Sequence, residues 1–223
     1  DARRLASMSV ASGRELSAFA GLANSIRLAS PMSTLYLRAI QKNFAAAMRA
    51  DNLDMKCILS PDSLRELSWW VLSFPLNTRS PIVPKTVDSV ITTDASGQGW
   101  GAVSRGERTG GRWSADEAKL HINQQELLAA FLGLKCFLRP ESRSVRMQID
   151  NTSAIAYINR RGGTHSSPLN DLAREIWEWA FAKGVHLVAT HIPGRENVVA
   201  DSESRTFLSE EWSLSPAAIE LIF

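Results

Sequence analysis

VDSVITTDASGQGWGAV, residues 87–103, decides the fold. Val87 to Thr93 is rich in β-branched residues and reads as a strand with Asp94 at its end. Gly99 to Val103 is a second strand, and Arg108 to Ser114 a third, joined by a turn at Ser104-Arg105-Gly106-Glu107. Downstream the pattern changes to alternating elements. Asn123–Leu138 reads as a helix ended by Pro140, and Val145–Ile149 as a strand of period two. Thr152–Asn159 is a short helix stopped by Gly162-Gly163, and Leu169–Lys183 a longer one with Gly184 just past it. His186–Ile192 is a strand, and Glu196–Arg205 a last helix after the Pro193-Gly194 turn. The order β-β-β-α-β-α-α-β-α implies an α/β domain: a five-stranded mixed sheet with helices on both faces.

Upstream the texture is helical. Leu16, Phe19, Leu22, Ala23 and Ile26 recur at helical spacing, as do Leu35, Leu37, Ile40, Phe44 and Met48, with a break at Ser30-Pro31. Ser60-Pro61-Asp62 starts a third helix: Ser60 as cap, Pro61 at the first position, Asp62 favourable in the first turn. Pro75, Pro81 and Pro84 punctuate Phe74 to Lys85, which sets the boundary between a helical segment, 1–80, and a sheet domain, 86–208, followed by a tail, 209–223.

The 44% hydrophobic and 22% charged fractions suit a globular core, and no apolar run reaches the ~18 residues of a membrane span. Two distant cysteines make no disulfide framework, which fits an intracellular compartment; Cys136, after an apolar helical run, is expected in the core. A first residue of Asp rather than Met implies a piece of something longer. The net charge of +2 is uneven: residues 1–50 carry seven Lys/Arg against two Asp/Glu, a basic head that can touch phosphates or simply be a solvated face.

Four acids carry the chemistry. Asp94 and Asp150 end the first and fourth strands, where sites gather in open α/β sheets. Glu126 shares a helix face with Ala130 and Gly133, small enough to let that face approach the sheet. Asp201 lies in the last helix. Alone, each is ordinary: a strand-end Asp is commonly a turn former, a helical Glu a solvated side chain. Together, carboxylates this close repel unless cations compensate, and hard oxygen ligands suit Mg²⁺ or Mn²⁺. Two such ions serve phosphodiester hydrolysis.

The motifs resemble a known family. Thr93-Asp94-Ala95-Ser96 with Gly99-Trp100-Gly101-Ala102, Gln125-Glu126-Leu127-Leu128-Ala129, Ile149-Asp150-Asn151 with Ala154, and Pro193 to Asp201 with Ser204-Arg205 are similar to the four motifs of the ribonuclease H domain of retroelement reverse transcriptases. The flanks Arg14–Leu22, Pro31–Arg38 and Glu211–Pro216 resemble sequence around that nuclease in DIRS-like retrotransposons; the last motif is also written so in gypsy-like elements. The D-E-D-D order argues against transposases and integrases, which place the glutamate last. The polymerase YxDD motif is absent.

The resemblance implies a ribonuclease H-like fold, two Mg²⁺ (or Mn²⁺) held by Asp94, Glu126, Asp150 and Asp201, an RNA–DNA hybrid as substrate, and a covalently linked polymerase domain in a parent polyprotein. By position, Ser96 and Asn151 are expected at the hybrid backbone or minor groove, and Arg160 and Arg161 at DNA phosphates. The family's assisting histidine has no clear counterpart, because the connection Ile192 to Arg195 is short; His191 is the first candidate and His165 the second. Trp100 and Trp113 are expected to pair across the sheet. Two other readings stay open: a catalytically idle nucleic-acid-binding or connection module, and a same-fold nuclease acting on duplex DNA.

Overall fold

The structure, a computed structural model, describes residues 1–30, 32–74 and 86–206. The expected tail, 209–223, and most of the proline-rich boundary lie outside the described residues. The first part holds α1 (Ala2–Ala6), β1 (Val10–Ser12), α2 (Gly13–Ser25), α3 (Arg38–Arg49), β2 (Lys56–Ile58) and α4 (Pro61–Leu72). The second holds β3 (Ser89–Ala95), β4 (Gly99–Ser104), β5 (Glu107–Arg112), α5 (Ile122–Phe137), β6 (Ser144–Ile149), α6 (Thr152–Asn159), α7 (Ser167–Ala182), β7 (His186–His191) and α8 (Val198–Arg205).

Local chemistry sets these boundaries. Ser12 and Glu15 form a reciprocal capping box that starts α2, and Ser60 caps α4 with Pro61 at its first turn, as expected. Arg105 and Gly106 both adopt positive φ, 52° and 84°, which closes the two-residue β4–β5 hairpin with the twist its strands require. The short antiparallel pair β1–β2 was not expected from the sequence.

The large sheet has the order β5-β4-β3-β6-β7, with β3, β4 and β5 antiparallel and β6 and β7 parallel to β3. This is the expected five-stranded mixed sheet. Adjacent residues of β4 point to opposite faces. A Cβ at Gly101 would meet Ala200 and Ser204 of α8, whereas Ala102 touches Gly133 of α5. Helices therefore cover both faces.

The main core joins Leu127, Phe131 and Leu134 of α5 to Met147 and Ile149 of β6 and to Ile176 and Trp177 of α7. Met32 and Leu35 of the helical segment enter that same core. A second core, with Leu16, Ile40, Leu67 and Trp70, lies within the helical segment. Tyr36 links the two parts: its ring stacks on Trp69 at 4.2 Å and its hydroxyl donates to Glu178.

Two expectations are corrected. Cys136 is exposed, next to exposed Lys135, so its apolar run does not bury it. Trp113 lies past the end of β5 and buries its indole by donating Nε1–H to the Ser96 carbonyl; the residue opposite Trp100 is Gly111. Among the described residues no helix is long and apolar enough to cross a membrane.

Candidate metal centre

Register brings the first two acids together. Thr92 of β3 pairs with Gln148 of β6 in a parallel ladder, so two residues further on Asp94, still within β3, and Asp150, just past β6, stand side by side. Glu126 reaches them because α5 packs closely: Gly133 lies against Thr93 and Ala102, where a Cβ would come within 2.8 Å of the Thr93 methyl. Carboxylate oxygens of Asp94, Glu126 and Asp150 all lie within 4.8 Å of one another. Asp94 and Glu126 are buried, and Asp150 is half-buried.

Burial and mutual repulsion work in the same direction here. Burial first, then the charges of Asp94 and Asp150, push the Glu126 carboxyl up to about 8; a backbone hydrogen bond from Ala95 opposes them. Burial likewise pushes Asp94 up to about 6, against a hydrogen bond from Ser204 and with help from Asp150 and Asp201. Glu126 Oε2 is buried with no hydrogen-bond partner. An orphaned anionic oxygen beside two more carboxylates is costly unless a cation or a proton meets it. The donor set is all hard oxygen, so these residues fit a divalent ion such as Mg²⁺ or Mn²⁺.

Asp201 stands apart from the three. Its Oδ1 accepts from Arg205 Nε at 2.8 Å, and its side chain is 44% exposed. The sequence reading also missed two residues. Asn197 Nδ2 donates to Asp94 Oδ1 at 3.1 Å and to the Thr93 carbonyl at 3.2 Å. Ser204 Oγ lies 2.9 Å from both Asp94 Oδ2 and the Asp201 carbonyl, with one proton to share between them. Both are fully buried and tie the ends of α8 to Asp94. Both stand in the motif around Asp201, four residues before it and three after, but only the contact across the fold gives them their task.

The other expected contacts divide. Asn151 caps α6 through its Oδ1 and donates to Asn123 Oδ1 at 2.9 Å. The buried Ser96 hydroxyl bonds to the Ser204 and Gly99 carbonyls and to the turn amides of Gln98 and Gly99. The Arg161 guanidinium lies 4.8 Å over the Trp177 ring, with its Nε buried. Arg160 is exposed. His191 is exposed at the end of β7, opposite Ile149. His121 caps α5, a structural task.

A family model described as reverse transcriptase-like matches residues 88–206. The chain belongs to that family. Solved structures with some likeness include an RNase H1 from the halophilic archaeon Halobacterium salinarum NRC-1, 16% identical with a TM-score of 0.41, over 52% of this chain and 91% of that one. LC11-RNase H1 in complex with an RNA/DNA hybrid is 19% identical with a TM-score of 0.43, over 52% and 93%. The foamy viral protease-reverse transcriptase in complex with an RNA/DNA hybrid is 13% identical with a TM-score of 0.31; it spans 92% of this chain, which covers 28% of that one. No curated protein matches.

The raised carboxyls set a pH dependence. Groups whose folded pKa is raised contribute stability that is fully present below their unfolded pKa and is lost as pH rises through the folded one. For Asp94 and Glu126 that window runs from about 4 up to about 6 and about 8. Ion-free protein is therefore expected to melt at lower temperature near pH 8 than near pH 5. Added Mn²⁺ is expected to raise the melting temperature more at the higher pH, where protons compete less. Melts in chelator and in Mn²⁺ at both values check this; an ion effect larger at the lower pH would contradict it.

Proposed function

We propose that the chain is the ribonuclease H part, with its connection segment, of a retrotransposon reverse transcriptase of DIRS-like or gypsy-like kind. In this reading 86–208 is the nuclease, 1–80 the connection to a covalently linked polymerase, and 209–223 a tail. The activity is endonucleolytic hydrolysis of the RNA strand of an RNA–DNA hybrid. The observation that carries it is the convergence of Asp94, Glu126 and Asp150 on one small volume, with Glu126 Oε2 unpartnered.

The three acids would hold two Mg²⁺ or Mn²⁺, with Asp201 the expected fourth ligand once it leaves Arg205. When bound, the ions supply Lewis-acid activation of water and neutralise charge on the leaving oxygen. The chain's residues do the rest. Asn197 and Ser204 fix both oxygens of Asp94, so its free lone pairs keep one direction. Burial of Asp94 and Glu126 keeps competing water away and strengthens charge interactions. His191, exposed at the end of β7, is the first candidate for the family's assisting histidine. Ser96, Asn151, Arg160 and Arg161 are the candidates for hybrid contact.

The second reading, an idle nucleic-acid-binding module, draws on one observation: Asp201 is bound to Arg205 rather than gathered with the other acids. A labelled hybrid in Mg²⁺ or Mn²⁺ separates the two. Cleavage confined to the RNA strand is expected. Binding without cleavage in either ion supports the idle module, and cutting of duplex DNA points to another nuclease.

A further inference from the structure

A cavity of about 260 Å³ lies where the helical segment meets the sheet domain. It is smaller than the ~300–1,000 Å³ of ordinary small-molecule pockets, which suits a single charged group rather than a large ligand. Its walls come from the N-terminal halves of α3, α4 and α7, represented by Arg38 and Lys42, by the cap Ser60 with Asp62, and by Ser167 and Arg174. Helix N-termini favour anions. The N-terminal end of α3 already has one: the buried Glu66 carboxylate accepts the Ala39 and Ile40 amides at 2.9 Å. That of α7 carries only the neutral cap Ser166, and that of α4 carries Asp62 beside its cap Ser60.

The side chains point the same way. Among the described residues neither Arg38 nor Lys42 has a carboxylate within 4.0 Å; Lys42 Nζ reaches Ser167 Oγ at 3.1 Å across the junction. Arg38 spends its guanidinium on the Arg160 carbonyl and on Gln41. The acids at the cavity are already engaged, Asp62 by Arg65 and Asp171 by Arg174 at 3.6 Å. Arg38 Nε and Arg174 Nε are buried with no acceptor, two donors short of a partner. The cavity thus offers cations, hydroxyls and helix N-termini from both parts of the chain.

We infer that this junction cavity binds a phosphate group, and that the phosphate is one of a nucleic-acid backbone lying across both parts. The inference rests on the reading of the chain as a hybrid-binding protein, not on its cleaving the hybrid. It gives the helical segment a direct share in substrate grip: the cations at α3 complete a site that α7 alone leaves half built.

Fluorescence anisotropy of a labelled hybrid with the full chain tests it, in chelator so that nothing is cut. Lys42 and Ser167 are exposed, so Lys42→Ala and Ser167→Ala should leave the fold intact, as melting checks. Lys42→Ala is expected to weaken binding roughly tenfold, the size of one charge-assisted hydrogen bond. It should also reduce the slope of log affinity against log salt by about one. Arg49→Ala, at the other end of α3, should change the slope less. Inorganic phosphate, against chloride at equal ionic strength, is expected to raise the melting temperature of the unaltered chain and not of Lys42→Ala. Loss of the phosphate effect with unchanged hybrid affinity would mean the cavity takes free phosphate only, and overturns the nucleic-acid assignment. No change in either measurement, or no hybrid binding by the unaltered chain, overturns the whole inference. Weakened binding in a chain that never cleaves sinks the nuclease reading and leaves this one standing.

Discussion

Asp150→Asn is expected to lower RNA-strand cleavage by roughly a thousandfold or more while leaving the fold intact. The size follows from the several kcal/mol that metal-borne charge stabilisation supplies, at about 1.4 kcal/mol per decade of rate. The selectivity follows from the site. Asp150 is half-buried, and a side-chain amide has nearly its shape. The change removes the charge of one of three crowded carboxyl groups, and the Asp150 charge is among the causes that raise both Asp94 and Glu126. Ion-free Asp150→Asn protein should therefore melt at the same temperature as the unaltered chain or slightly above it. A purely structural acid would give the reverse pattern, with lost stability and retained rate. Single-turnover cleavage and thermal melting on the same preparation check both halves; cleavage kept within about tenfold would contradict the assignment.

Gly101→Ala is expected to be the most damaging single methyl in the sheet domain. A Cβ at position 101 would stand 2.2 Å from the Ala200 carbonyl and 2.7 Å from the Ser204 amide. Both are backbone atoms of α8, so no side chain can swing aside, and the helix itself must move. Overpacking of this kind costs about 1–3 kcal/mol or more. For a chain of this size that is roughly 2–12 °C in melting temperature. Activity should fall further than stability alone implies, because α8 carries Ser204 and Asp201 and its cap Asn197 holds Asp94. Gly97→Ala is the control, since nothing lies within 4 Å of a Cβ there. Equal melting temperatures and rates for the two variants would show that α8 is not held as described.

The sheet domain was legible because its signals are local. Val87–Thr93 and Val145–Ile149 announce strands by composition and alternation, and each acid follows directly in the chain. Glu126 was legible from Ala130 and Gly133, whose small side chains mark the face that meets β3 and β4. What the sequence hid depends on distant partners. The Ser96 hydroxyl is claimed by a carbonyl 108 residues away, and the Asn197 amide by a strand 103 residues earlier. The Arg161 guanidinium stacks over Trp177, a contact its place in the chain does not announce. Strands β1 and β2 are three residues each, too short for alternation to show. Cys136 shows that an apolar helix does not declare which of its last-turn residues face water. Asp201 was read from its motif, and its exchange of Arg205 for a metal remains the step the motif alone implies.

The central claim is that Asp94, Glu126 and Asp150 form one divalent-ion centre. Anomalous diffraction from crystals of the full chain grown in Mn²⁺ tests it directly. The account predicts anomalous density among these three carboxylates, with oxygen–metal distances of about 2.1 Å, lost in Asp150→Asn crystals grown the same way. Mn²⁺ bound elsewhere with this cluster empty, or the same density retained in Asp150→Asn, would contradict it.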